Sequence, residues 1–419
     1  MTGECLNILY VSPVPPSPPR YGAQARMHGL LSELARRHNV TALALIDRVL
    51  LDADECRRAM ESYCREVVLV PVPHLGDLSK RLLQLRSLAS TRSLERLLHT
   101  VPAVRPSLYQ LLRTRRFDVV NLEFSRLGHY ELRQAPPGEK LPVLVVDSHN
   151  IDYDLTRQYA QAGNSWARRI YNGMNWRKLR REELATYRDA DGVYLCSAAD
   201  ERRLLDQVPG ARTVVIPNAA NVDYYQPRST DPPPDGRTVV FFGLLSYAPN
   251  VDGVIHFVRE IWPRIAAVHA KARCKIIGGE PPPSLLALAG PRVELTGFVE
   301  DLRPHLAAAA AVVVPLRLGG GTRLKIVEAM AMGKAVVSTT LGAEGIEAVP
   351  DRDLLIEDDP ESFANAVNRL LADPELAARI GQSARCLAVE RYSWSGAAKA
   401  LESFFHRILE EGTSRRLSE

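Results

Sequence analysis

Thirteen short runs of aliphatic and β-branched residues punctuate this chain, and helical patterns fill the gaps between them. In the first half they are NILYVS (7–12), VTALALI (40–46), EVVLVPV (66–72), FDVVNLEF (117–124), PVLVVDSH (142–149), GVYLCS (192–197) and TVVIPN (213–218). In the second they are TVVFFGLL (238–245), CKIIGG (274–279), RVELTGFV (292–299), AVVVPL (311–316), KAVVST (334–339) and DLLIED (353–358). Continuous apolar strands separated by helices belong to parallel sheets covered on both faces. Between the two series lies NAANVDYYQPRSTDPPPDGR (218–237), rich in Pro, Asp and Asn and without period, which reads as a linker. The pattern predicts an α/β chain with one domain over 1–217 and another over 238–392. A closing helix and frayed tail follow over 393–419, with Ser393 as cap and Leu401, Phe404, Phe405, Ile408 and Leu409 on one face. A length of 419 residues also asks for two domains.

Composition closes off several classes. The chain is 46% apolar and 24% charged, as globular proteins are. It has no uncharged apolar run of about eighteen residues to span a membrane, and its first residues lack the basic and apolar regions of a signal peptide. Six cysteines form no CxxC pair and have no His at metal-ligand spacing, which fits a reducing cytoplasm, with Cys196 and Cys274 as core thiols. The net charge of +4 is uneven: residues 1–212 hold 31 Lys and Arg against 24 Asp and Glu. Residues 80–116 hold nine cations and a single acid, Glu95. Such a stripe suits an anionic membrane surface or an acidic substrate, or is a solvated helical face. It lacks interleaved aromatics and any nucleic-acid module, so no nucleic-acid partner is expected.

The stretch LRLGGGTRLKIVEAMAMGKAVVST (316–339) has the make-up of an anion cradle. Gly319, Gly320 and Gly321 let backbone N–H groups approach an anion with no Cβ in the way. A helix is predicted to open near Thr322 and stop at Gly333, and its free N–H groups and dipole favour phosphate. Arg323 and Lys325 add positive charge. Glu328, a turn and a half in, would repel phosphate and suits neutral hydroxyls such as a ribose diol. No GK[ST] follows, as a Walker A loop requires, and no GxGxxG follows the first strand of either half. In the first half His149 ends a strand, where open α/β sheets face their ligand crevice. Asp147 and Asn150 flank it, and Asp152 and Asp154 follow as orienting or acceptor-binding candidates.

Taken in order, these signals resemble the retaining glycosyltransferases of family 4. The resemblance is carried by YVSPVPPSPPRYGAQARMHGLLSELARRHNVT, VVDSHN, VVIPNAANVDYY, FFGLLSYAPNVDGVIHF, VELTGFVEDL and GGGTRLKIVEAMAMGKAVVST, and spans nearly the whole chain. It implies the GT-B architecture: two Rossmann-like domains whose parallel sheets face a deep interdomain cleft, with the C-terminal helix crossing back to the first. It implies transfer of a hexosyl unit from a nucleotide diphosphate sugar to a hydroxyl acceptor, without cofactor or metal. Front-side attack would retain the anomeric configuration, with the leaving phosphate helping to deprotonate the acceptor.

The resemblance also assigns residues. Glu328 matches the second acid of the family's paired-acid signature, which binds ribose. The first acid falls on Gly320, so sugar recognition passes to loop amides or other side chains. Many relatives carry Arg and Lys in the loop after TVVFFG; that loop here is LLSYAPNVDG, and Arg323 and Lys325 stand in as the catalytic cations. Thr296, Gly297 and Phe298 match a base-reading loop, with core packing the other reading of Phe298. Gly22 matches a small-residue turn facing the diphosphate, and Gly243, Gly321 and Thr322 complete the donor set. His149 lies in the family close to donor sugar and acceptor, with Asn150 and Glu344 as secondary positions.

Two other readings stay open. The fold also serves nucleotide-sugar epimerases, which need an acid/base set beyond His149. A nucleotide-binding scaffold would follow from the loss of the acid at Gly320, although Arg323, Lys325, Glu328 and His149 speak against it. No pair of acids on facing strand ends suits a two-carboxylate glycosidase. The basic stretch, with WARRIYNGMNWRKLRREE (166–183), suggests a lipid-linked saccharide as acceptor at the inner face of a membrane. A soluble acceptor stays equally open.

Overall fold

A computed structural model describes residues 4–162 and 166–416. Among the described residues thirteen strands form where the apolar runs fall. They are β1 (Asn7–Ser12), β2 (Asn39–Ile46), β3 (Glu66–Pro71), β4 (Val119–Glu123), β5 (Val143–Ser148), β6 (Gly192–Leu195) and β7 (Thr213–Val215), then β8 (Thr238–Phe242), β9 (Arg273–Ile277), β10 (Val293–Gly297), β11 (Ala311–Val314), β12 (Val336–Ser338) and β13 (Leu355–Ile356). Most stop one to three residues before the apolar run ends, because the chain leaves the hydrogen-bond ladder before it leaves the core. Leu316, beyond the end of β11, is still buried.

The chain divides into two compact units, Met1–Ile216 with Ala397–Glu419, and Pro217–Gly396. The first holds a parallel sheet of order β3-β2-β1-β4-β5-β6-β7, the second a parallel sheet of order β10-β9-β8-β11-β12-β13. In each, the chain runs outward from a central strand and then jumps back to start on that strand's other side. The reversal leaves a crevice at the strand C-termini, between β1 and β4 in one unit and between β8 and β11 in the other. Helices cover both sheets, and strand residues such as Ile8, Leu9, Val312 and Val313 have no accessible surface.

The closing helix runs Trp394–Arg416, and the N–H of Gly396 donates to Ser393 Oγ as the cap requires. Leu401, Phe404, Phe405 and Ile408 are buried. A Cβ on Gly192 would come within 2.7 Å of the Phe404 ring and 3.3 Å of Ile408, so β6 starts with glycine to admit this helix. The tail expected to fray stays helical as far as Arg416, and 417–419 lie outside the described residues. Burial pushes the Cys196 and Cys274 thiols up to about 12, in keeping with inert core positions. Among the described residues no helix is long and apolar enough to cross a membrane.

Candidate functional site

In the second unit the crevice between β8 and β11 gathers most of the residues that the glycine loop pointed to. Gly243 follows β8 with φ +146, a backbone open to glycine and little else. A Cβ there would lie 3.0 Å from Lys325 Nζ and 3.0 Å from Asn250 Nδ2. Lys325 Nζ donates to Asn250 Oδ1 at 2.7 Å and lies 4.1 Å from the centre of the Phe241 ring. Asn250 Nδ2 donates in turn to the carbonyl of Leu244. Asn250 belongs to the stretch LLSYAPNVDG that lacks a cation and lies in the first turn of the helix Ala248–His256, so Lys325 delivers its ammonium group to that stretch from the facing helix.

The glycine loop follows β11 with Gly319 at φ +117 and Gly321 at φ +71. The helix begins at Leu324, two residues later than the sequence predicts, and ends at Ala331. The reason is local: Arg323 in the N-cap position is extended, with φ −84 and ψ 106. Its guanidinium folds over the loop and donates to the Gly320 carbonyl. Arg323 thus braces the glycines instead of pointing away from them. Thr322 is buried, and its carbonyl accepts from Asn218 Nδ2 at 2.6 Å.

Lys325 and Glu328 lie one turn apart on this helix and face each other's charge. Burial pulls the Lys325 ammonium down to about 7, with nearby Arg323 adding to the effect and Glu328 opposing it. Burial pushes the Glu328 carboxyl up to about 7, against a hydrogen bond from Tyr225 and the attraction of Lys325. Both groups therefore change charge near neutrality. Tyr225 belongs to the VDYY stretch, and its contact with Glu328 was not foreseen.

Of the remaining predictions in this unit, Gly297 has φ +73, and Thr296 Oγ1 donates to the Gly297 carbonyl. Phe298 is 69% exposed, so core packing does not explain it. Glu344 lies in the turn after β12, where its N–H donates to the Leu341 carbonyl.

In the first unit the crevice between β1 and β4 holds a buried ionic cluster. Glu123 and Asp147 are register partners on β4 and β5, so both carboxylates leave the same face of the sheet. His149 Nε2 lies 2.7 Å from Glu123 Oε2 and 3.3 Å from Asp147 Oδ2. Arg26, from the helix Gly22–Ala35, donates to both oxygens of Asp147 at 2.8 and 3.0 Å, and to the Ile216 carbonyl at 2.9 Å. Asn121 and Tyr194 close the far side, with Asn121 Nδ2 donating to Glu123 Oε1 and Tyr194 OH to Asn121 Oδ1. Gly22, the first residue of that helix, stands at its N-terminus.

Burial disfavours the charged imidazole, but Asp147 and Glu123 outweigh it and hold the His149 pKa above its ordinary value. Burial likewise works against the Asp147 carboxylate, and Arg26 with His149 reverses it. Glu123 is pushed up by burial and by Asp147. Two basic groups thus lie against two acids inside the fold. Ligand atoms of Glu123, Asp147 and His149 come within 4.8 Å of one another, a spacing a cation could use. Both Asp147 oxygens are already taken by Arg26, however, so the set suits a guanidinium and an imidazolium better than a metal ion.

Phe124 stacks on His149 with ring centres 4.0 Å apart, held at φ +62, and Arg126 lies 4.9 Å from the centre of the Phe124 ring. A bulky residue at positive φ is a strained arrangement, of the kind that clusters at functional sites. Asp152 is engaged by Arg126 at 2.8 and 3.2 Å and Asp154 pairs with Arg157, so Asp152 orients the arginine above Phe124. The carbonyl of Asn150 accepts from Ser148 Oγ. Glu123 and Arg26 escaped the sequence reading. The signal for Glu123 was an acid beside the amide of Asn121 inside the apolar run FDVVNLEF, where unpaired polar groups are costly; Arg26 gave none.

Residues 21–219 match a family model described as a glycosyl transferase 4-like domain, and residues 236–373 one described as glycosyl transferases group 1. Over 208 residues the chain is 24% identical to a phosphatidylinositol N-acetylglucosaminyltransferase component of Arabidopsis thaliana, covering 48% of this chain and 45% of that protein. The chain thus spans about half the length of that curated relative. Among solved structures, sucrose-phosphate synthase from Thermosynechococcus elongatus superimposes with a TM-score of 0.72 at 19% identity, covering 97% of this chain and 100% of the other. HepE of Anabaena, solved in complex with UDP and glucose, gives 0.65 at 17% identity, covering 96% and 99%. These likenesses establish a fold of two Rossmann-like units.

Proposed function

Because the chain belongs to the group 1 glycosyltransferases, we propose that it transfers a hexosyl unit from a nucleoside diphosphate sugar to a hydroxyl acceptor, with retention. The observation that carries this reading is the meeting of Gly243, Lys325, Glu328 and the Gly319–Gly321 loop at one switch-point crevice. The bound UDP in the HepE structure supports a nucleotide donor for this fold.

Glu328 as a carboxylate accepts from the two ribose hydroxyls. The glycine loop and the first N–H groups of the helix Leu324–Ala331 take the diphosphate, and the Lys325 ammonium faces its growing charge. In the transfer, the bond from the anomeric carbon to the diphosphate oxygen breaks and one to the acceptor oxygen forms on the same face. The acceptor proton leaves with the released diphosphate. Protein charge thus stabilises the departing group, which is where the transition state needs it. In the first unit Asp147 and Glu123 favour the protonated form of His149, which suits it to positioning groups beside the acceptor. A lipid-linked saccharide is the acceptor that the basic helices favour.

Thermal unfolding with UDP, GDP, ADP and TDP tests the reading. A bound nucleotide at a hundred times its dissociation constant adds about 2.7 kcal/mol. One of the four is expected to raise the transition of the second unit, and Glu328→Ala to abolish the rise. A well-folded protein that responds to none of them refutes the donor site. NMR of the glycoside formed then reads the anomeric configuration.

A further inference from the structure

Two helices of the first unit turn large apolar side chains to water in a strongly basic setting. On the helix Asp77–Leu88, Leu78, Leu82 and Leu85 recur at the spacing of one face. On the helix Trp166–Asp189, Trp166 and Ile170 do the same. All five are between 56% and 77% exposed. The two helices adjoin, since Ser87 Oγ lies 3.0 Å from Tyr171 OH and Lys178 Nζ donates to the Ser87 carbonyl. The first helix is therefore anchored through a buried serine while its leucines face out. That is the reverse of an ordinary surface helix.

Apart from Asp77, the charge exposed on these stretches among the described residues is positive. Lys80, Arg81 and Arg86 are exposed on the first helix, and residues 166–181 carry six Lys and Arg and no acid. The nearest acids are turned inward: Glu95 accepts from Asn175, and Glu182 from the N–H and Oγ of Ser93. Asp77, at the helix start, is the exposed exception. A second copy of the chain would bring like charges together on this face. Nucleic acid would answer the arginines and Trp166 but not the three leucines and Ile170, which offer no stacking surface.

We infer that this face docks on an anionic lipid bilayer, with Leu78, Leu82, Leu85, Trp166 and Ile170 entering the headgroup boundary and the flanking Lys and Arg holding lipid phosphates. The inference does not depend on the donor chemistry proposed above, so its failure leaves that reading standing.

Sedimentation with vesicles tests it on the full chain, using phosphatidylcholine alone or mixed with phosphatidylglycerol. The protein is expected to bind the mixed vesicles at least about tenfold more tightly, and to release as salt shortens the Debye length below about 8 Å. Leu82→Ser with Ile170→Ser keeps every charge and is expected to weaken binding about tenfold or more. Both positions are exposed, so an unchanged melting curve will show that the variant is folded. Three results would overturn the docking surface. They are wild type that stays in the supernatant at low salt, a serine variant that binds as wild type does, or a dimer in sedimentation equilibrium that the serine variant dissociates.

Discussion

Lys325 and Glu328 both titrate near pH 7, the first because burial lowers it and the second because burial raises it. A bound diphosphate needs Lys325 charged, so above pH 7 binding must take up a proton and affinity falls as pH rises. The ribose hydroxyls need Glu328 as carboxylate, so below pH 7 binding must release a proton and affinity falls as pH drops. Nucleotide affinity is therefore expected to peak near pH 7, with limbs approaching about tenfold per pH unit. Glu328→Gln removes the acid limb and Lys325→Gln the alkaline one. Isothermal titration in buffers of different ionisation enthalpy counts the protons directly, and a flat profile from pH 6 to 9 would refute the assignment. The meeting of these two side chains beside the glycine loop was legible because glycines, cations and acid lie within ten residues of sequence. The cluster around His149 was half legible. Its histidine ends a strand in plain view, but Arg26 lies 121 residues from Asp147 and only the folded register joins them.

At the scale of elements, the strands were readable because most are short apolar runs, as parallel sheets demand, even though β4 carries Asn121 and Glu123 and β10 an exposed Glu294. Their ends and the start of the helix Leu324–Ala331 were not, since these depend on single backbone angles that composition does not encode. Glycines with tight neighbours mark where such angles and approaches matter. A Cβ on Gly278, just past β9, would fall 1.9 Å from the Gly243 carbonyl oxygen, a backbone atom that cannot swing away. Gly279 next to it has room, with its nearest neighbour at 3.7 Å. Gly278→Ala is expected to cost about 1–3 kcal/mol or more through forced backbone movement, whereas Gly279→Ala changes stability little. Because the displaced strand end carries Gly243, Gly278→Ala is also expected to weaken nucleotide binding. Urea denaturation of the two variants, with and without nucleotide, separates them. Equal stabilities would mean that the close approach of β8 and β9 is not a constraint.

Across the whole molecule, the chain makes its first unit from two distant segments, since residues 397–419 return to it after the second unit is complete. Four side chains of this returning helix, Leu401, Phe404, Phe405 and Ile408, are buried with at most 1% exposure. Burial of each is worth about 1.5–3 kcal/mol, so together they contribute roughly 6–12 kcal/mol. That is comparable with the entire net stability of a domain, about 5–15 kcal/mol. Ion pairs of Glu402 with Arg37 at 3.1 Å and of Glu411 with Arg212 at 2.9 Å add little, being partly exposed. Ending the chain after Gly396 is therefore expected to unfold the first unit at physiological temperature and leave the second nearly intact. Calorimetry of the shortened chain reads this as loss of one transition and survival of another. The surviving transition should still rise with nucleotide, because Gly243, Lys325 and Glu328 all belong to the second unit. If both transitions survive instead, the returning helix is a peripheral strut and the apolar contact at Gly192 contributes little to the first core.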